Sequence, residues 1–103
     1  MAIKINPKYA YAYVCRAKLH NVKCDFDSAI ADYTQAIVID PSYEAAHIER
    51  GDDYIKKGQY DLAINDFKTI IKINPKIMVG YMQLGEVYEK QLYIKTRSMY
   101  IVS

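Results

Sequence analysis

Three prolines set the strongest constraint on how this chain can fold. Pro7, Pro41 and Pro75 are the only prolines, and both intervals are 34 residues. Each closes the same tripeptide: Ile5-Asn6-Pro7, Ile39-Asp40-Pro41, Ile73-Asn74-Pro75. A fixed period of this length marks a chain built from stacked units. Superposing 10–43 on 44–77 without a gap gives 10 identities in 34 positions. Unrelated segments of ordinary composition share about 2. Among the 34-spaced pairs are Ala29 and Ala63, Ile30 and Ile64, Asp32 and Asp66, Tyr33 and Phe67, and Phe26 and Tyr60. Gly51 pairs with Gly85, and Tyr54 with Tyr88.

Inside each unit the apolar spacing is helical. Ile48, Gly51, Tyr54 and Ile55 fall on one stripe. Tyr60, Ala63, Ile64, Phe67, Ile70 and Ile71 fall on a second. Between them Lys56-Lys57-Gly58-Gln59 reads as a helix end, with a glycine stop and cations at the negative pole. The residue before each proline is pushed out of the α region, so a helix should end there. The proline then suits the first turn of the next helix. Asn6, Asp40 and Asn74 are positioned to cap it. Each unit is thus expected to be a helix, a tight turn, a second helix and a second turn.

These residues resemble the tetratricopeptide (TPR) repeat, a 34-residue helix–turn–helix unit. The signature small and large positions read Tyr13, Ala17, Phe26, Ala29, Tyr33, Ala36 and Pro41 in the first unit. In the second they read Gly51, Tyr54, Gly58, Tyr60, Ala63, Phe67 and Pro75. In the third they read Tyr81, Leu84, Gly85 and Tyr88. Small residues let helices approach and large rings fill the space beside them. Five positions depart from the pattern. Arg16 and Arg50 replace a usual leucine, His20 a usual tyrosine, and Cys24 the turn glycine. His47 also stands where an aromatic residue is usual.

The fold expected is all-α: tandem helix–turn–helix repeats in a short right-handed superhelical solenoid of about 2.5–3 repeats. One domain covers 1–103. Residues 1–9 read as the end of a preceding repeat, 10–43 as repeat 1, 44–77 as repeat 2, and 78–103 as a partial or degenerate repeat 3. The start inside a repeat suggests a fragment of a longer array. In strict register Arg97 falls on a small-residue position, which fits poorly. Deleting one residue in the turn matches Tyr93, Thr96 and Tyr100 to Tyr60, Ala63 and Phe67. Residues 92–102 then read as a shortened second helix, with an extended tail as the alternative. Neither end has the polar cap that repeat arrays normally carry, so the ends are expected to pack on further repeats or on another copy.

Chemistry is sparse. His20 and His47 lie in no metal-binding spacing, and Cys15 and Cys24 fit no zinc pattern. The histidines read as packing residues and the cysteines as free thiols of a reducing, cytoplasmic compartment. The four glycines form no phosphate loop. Asp52-Asp53 reads as part of a solvated helix face. No enzyme activity and no cofactor are expected. The net charge is only +2, and no basic block is present, so nucleic acid is not an expected ligand. Most of the 11 tyrosines fall on core positions rather than forming base-stacking platforms. No run is long and apolar enough to span a membrane, and no secretory signal is expected.

The resemblance implies protein–protein interaction, as a scaffold or adaptor. First helices of such repeats line a concave groove that takes a peptide. Its positions fall on Tyr11, Val14, Cys15 and Lys18, then Ala45, Ile48, Glu49, Asp52 and Ile55. In the third repeat they are Val79, Met82, Gln83, Glu86 and Glu89. One subgroup of the family grips the C-terminal carboxylate of chaperones with a cationic clamp. Those positions read Val14, Lys18, Glu49, Val79 and Gln83, so that ligand is not expected. An apolar strip (Val14, Ile48, Val79, Met82) beside an acidic one (Glu49, Asp52, Glu86, Glu89) favours a protein or peptide with apolar anchors and basic residues. The rival readings are a homo-oligomer formed through open ends or helix exchange, and a non-catalytic segment of a larger protein.

Overall fold

Five helices follow one another in a computed structural model that describes residues 7–102, with side chains described for 9–97. They are α1 (Pro7–Val22), α2 (Phe26–Ile39), α3 (Glu44–Lys56), α4 (Tyr60–Ile73) and α5 (Met78–Val102). No strand occurs among the described residues. Each helix packs against the next: α1 on α2, α2 on α3, α3 on α4, α4 on α5. The architecture is an all-α helical repeat. The expected tail of a preceding repeat falls mostly on 1–6, outside the described residues.

Two apolar clusters hold the stack. Ala10, Val14, Ala17, Ala29, Tyr33, Ala36 and Ala46 form the first. Ala63, Phe67, Ile70 and Val87 form the second, with Ile48, Tyr54, Tyr60, Ile64 and Leu84 against it. Gly51 explains why its position is small. A Cβ there would lie 2.7 Å from the Phe67 ring, inside any tolerable contact.

The two turns within repeats are built alike. The Cys24 N–H donates to the Asn21 carbonyl at 2.9 Å and the Asp25 N–H to His20 at 2.9 Å. The Gly58 N–H likewise donates to Ile55 at 2.9 Å and the Gln59 N–H to Tyr54 at 2.8 Å. This closure requires a left-handed residue. Gly58 takes it at φ 78°, and Cys24 is forced into it at φ 59°. A non-glycine residue there carries a Cβ clash that glycine avoids.

Three expectations are corrected. Pro41 and Pro75 do not open the following helices, which start at Glu44 and Met78. They lie in the turns, and Asp40 and Asn74 close those turns rather than capping the next helix. Asp40 Oδ1 accepts from the Ser42 N–H and Asn74 Oδ1 from the Lys76 N–H, both at 3.2 Å. Tyr43 occupies the N-cap of α3 with no side-chain cap. The third correction concerns 92–102. No turn separates a second helix there, because α5 runs unbroken for 25 residues. Leu92 stands where the left-handed Cys24 and Gly58 stand, and Glu89-Lys90-Gln91-Leu92 are strong helix formers. The helix has no residue at which to stop.

Candidate functional site

The odd-numbered helices α1, α3 and α5 carry the candidate groove, and the even-numbered ones brace them. The brace is ionic as well as apolar. Arg16 on α1 clasps Asp32 on α2 with both ends of its fork, Nε to Oδ2 at 2.7 Å and an Nη to Oδ1 at 2.7 Å. Exactly 34 residues on, Arg50 on α3 clasps Asp66 on α4 at 2.9 and 2.6 Å. Two-pronged pairs of this kind fix geometry as well as charge. The guanidinium beside Asp32 holds its carboxyl below the usual range. Arg50 also donates to Thr34 Oγ at 3.1 Å, which ties the second repeat to α2. His47 adds a further tie: Nδ1 lies 3.2 Å from Asp66 Oδ1 and Nε2 2.9 Å from the Pro41 carbonyl. His47 is buried, as a packing residue should be, but its contacts are polar. His20 sits near Asp32 at 3.5 Å. Arg16, Arg50, Asp32 and Asp66 all showed the 34-residue period, yet the sequence reading left the two arginines as unexplained departures.

The groove positions divide by exposure. Val14 is 2% exposed and packed with Ala10 and Ala17 in the first core cluster. It is therefore removed from the proposed apolar strip, because α3 and α2 close over it. Ile48 is partly buried against the second cluster. Tyr11, Lys18, Val79, Met82 and Glu86 are exposed, while Glu49, Asp52 and Gln83 are half-buried. Met82 leaves 66% of its surface open. The Tyr11 hydroxyl lies beside Cys15, which raises its pKa. Among the described residues Lys18 forms no ion pair with the acidic strip, and Cys15 is an exposed free thiol.

Asp52 is the centre of the strip. The Gln83 side-chain amide on α5 donates to its carboxylate, so two groove positions from neighbouring repeats meet. Burial pushes the Asp52 carboxyl up to about 6, and Glu49 and Glu86 add to the rise. Lys56 and Gln83 oppose it. Asp53 corrects a further expectation. It is not solvated but 1% exposed, and its Oδ2 has no hydrogen-bond partner among the described residues. Burial pushes Asp53 up to about 6, against the Asn21 amide and Lys56, with Glu49 and Asp52 raising it further. Asn21 also donates to the Tyr33 hydroxyl at 3.0 Å, which is itself shifted upward by burial and by Glu49. A half-buried patch of negative potential therefore runs along α3 and onto α5. Among the described residues no cluster of metal-ligating side chains occurs, and no helix is long and apolar enough to cross a membrane.

Helix pairs stacked at a 34-residue period, with small residues under aromatic rings, define a helical repeat protein. A sequence model described as TPR repeat matches residues 51–91. The crystal structure of MamA superposes with a TM-score of 0.78 at 26% identity, covering 84% of this chain and 50% of that one. The second TPR domain of human RPAP3, solved in complex with the HSP70 peptide SGPTIEEVD, gives 0.72 at 28% identity, covering 77% and 66%. The Arabidopsis OM64 TPR domain gives 0.75 at 25% identity, covering 82% and 70%. No curated protein matches the chain in sequence. Residues 51–91 thus match the tetratricopeptide-repeat model, and the fold is that of tetratricopeptide-repeat domains. The chain spans half the length of the MamA chain that it matches.

Proposed function

We propose that this chain is a protein-interaction module that binds a peptide along α1, α3 and α5. The peptide carries apolar anchors flanked by lysine or arginine. The observation that carries this reading is Asp52: half-buried, pushed up to about 6 by burial, and flanked by Glu49 and Glu86. A cationic side chain placed there relieves the crowding of like charge, and so gains more than it would at an isolated carboxylate. Val79 and Met82 supply exposed apolar surface beside the acids, and methionine adapts to varied anchors. RPAP3 binds an acid-terminated HSP70 peptide. In this chain the same ligand chemistry would meet Glu49, Asp52 and Glu86, which repel it.

The test uses two fluorescein-labelled peptides of equal length, one alternating leucine with lysine and arginine, one ending in Glu-Glu-Val-Asp. Fluorescence anisotropy should show the basic peptide binding at least tenfold more tightly. Asp52→Lys with Glu86→Lys should remove that preference and reverse the salt dependence, with helix content by circular dichroism unchanged. Equal affinities for the basic peptide before and after reversal would refute the reading.

A further inference from the structure

The third repeat leaves one helix face uncovered that the second repeat covers. In α3, positions 47, 51 and 54 face its partner helix α4, and position 58 lies in the turn that follows. His47 is 4% exposed and Gly51 is buried under the Phe67 ring. The equivalent positions in α5 are Tyr81, Gly85, Tyr88 and Leu92. Tyr81 is 51% exposed, Tyr88 45% and Leu92 65%. A Cβ built on Gly85 meets nothing within 4 Å. The side of α5 that packs on α4 is filled, with Gly80 and Val87 buried and Leu84 in the second core cluster. Tyr88 and Leu92 line an open cleft with Gly58, Tyr60 and Ile94.

The chain itself carries the sequence that would fill this face. Tyr93, Thr96 and Tyr100 stand in the register of Tyr60, Ala63 and Phe67. In that register Met99 takes the place of Asp66, while Leu84 takes the place of its partner Arg50. Both members of the ionic clasp have become apolar together, as a matched pair would. Yet the segment cannot reach its own α5 face, because the helix continues straight through Leu92.

We propose that α5 is exchanged between two copies of this chain. The C-terminal half of α5 from one copy lies antiparallel on the face formed by Tyr81, Gly85, Tyr88 and Leu92 of the other, and reciprocally. The register fixes the symmetry. Gly85 opposes position 100 of the partner copy, Tyr88 opposes position 96, and Leu92 meets its own equivalent at the two-fold axis. The axis thus falls where the turn of the repeat would have been. Opening that turn into a continuous helix converts a contact within one chain into the same contact between two, and the assembly closes at a dimer.

Light scattering over a hundredfold dilution tests this. The expected mass at the upper concentrations is twice the 11.9 kDa of the chain. A Cβ at Gly85 meets nothing within 4 Å in the single chain and the face beside it is open, so Gly85→Leu should keep its helix content and run as a monomer. In a background of Cys15→Ser and Cys24→Ser, Leu92→Cys should form an intermolecular disulfide on mild oxidation. A monomeric wild type across the range, or a dimer unchanged by Gly85→Leu, would overturn the proposal. The peptide reading stands or falls separately: Gly85→Leu should leave basic-peptide affinity intact, and charge reversal in the groove should leave the mass intact.

Discussion

Asp53 bears a cost that most surface aspartates avoid. Its carboxyl is buried, lacks a partner at Oδ2, and holds its proton to about pH 6 rather than the ordinary 3.8. The folded state therefore binds that proton more tightly than the unfolded chain does. Its stability contribution is fully present below about pH 4 and is lost as the pH rises through 6. The difference amounts to roughly 3 kcal/mol by pH 8. Asp32 works in the opposite sense. Its depressed pKa favours folding above the ordinary carboxylate range and stops doing so as the pH falls through it. Stability measured by urea unfolding should therefore peak between about pH 4 and 6. Asp53→Asn should gain about 2 kcal/mol at pH 8 and almost nothing at pH 4. A wild-type profile flat from pH 5 to 8 would contradict this account. In the sequence Asp53 looked like half of an acidic pair on water. A side chain's surroundings depend on which neighbouring helix covers it, and α1 supplies Asn21 from 32 positions earlier.

Within a repeat the two helices are joined by a clasp between positions 16 residues apart, Arg16 with Asp32 and Arg50 with Asp66. The copies differ in burial. The Arg50 side chain is 15% exposed and Asp66 1%, whereas Arg16 is 61% exposed. Removing a partner from a buried pair strands a charge and costs about 3–5 kcal/mol, while an exposed pair contributes less than about 1 kcal/mol. Arg50→Leu should then cost about 3 kcal/mol, and Arg16→Leu markedly less. A double-mutant cycle of Arg50→Leu with Asp66→Leu should recover at least 1 kcal/mol of the sum. Equal losses at Arg16 and Arg50 would mean that burial does not govern the clasp. The helices themselves were legible from period and turn chemistry, because Gly58 and Cys24 fill the same left-handed slot. The length of α5 was legible only in part. The missing glycine at Leu92 was visible, but the family pattern suggested a turn there, and local helix propensity prevailed.

Across the whole molecule the acidic strip on α3 and α5 is centred on Asp52, which titrates near the pH at which binding is measured. Asp52, pushed up to about 6, is largely protonated at pH 5 and ionised at pH 7. A basic peptide gains attraction only from the ionised form. Its affinity should therefore rise several-fold between pH 5 and 7, and Asp52→Asn should flatten that rise. Isothermal titration at the two pH values reads this directly, and a peptide bound more tightly at pH 5 would contradict it. Of the groove positions expected from the repeat register, Val14 was lost to the core because it packs in one cluster with Ala29, Tyr33 and Ala36 of α2 and Ala46 of α3. Val79, Met82 and Glu86 stayed open because α5 packs chiefly on α4. Register places a residue on a helix face. Whether that face meets solvent depends on how many helices pack there.

The sequence by itself determined the repeat, its 34-residue period, the all-α class and the turns around Cys24 and Gly58. Each of these follows from local spacing: apolar stripes at helical intervals, a left-handed residue between helices, a proline between units. Tertiary structure alone decided which charges are paired, which carboxylates are buried and which helix face stands uncovered. Those outcomes depend on contacts between residues 16 to 32 positions apart. Burial then sets the cost of each charge by how completely water is removed from it.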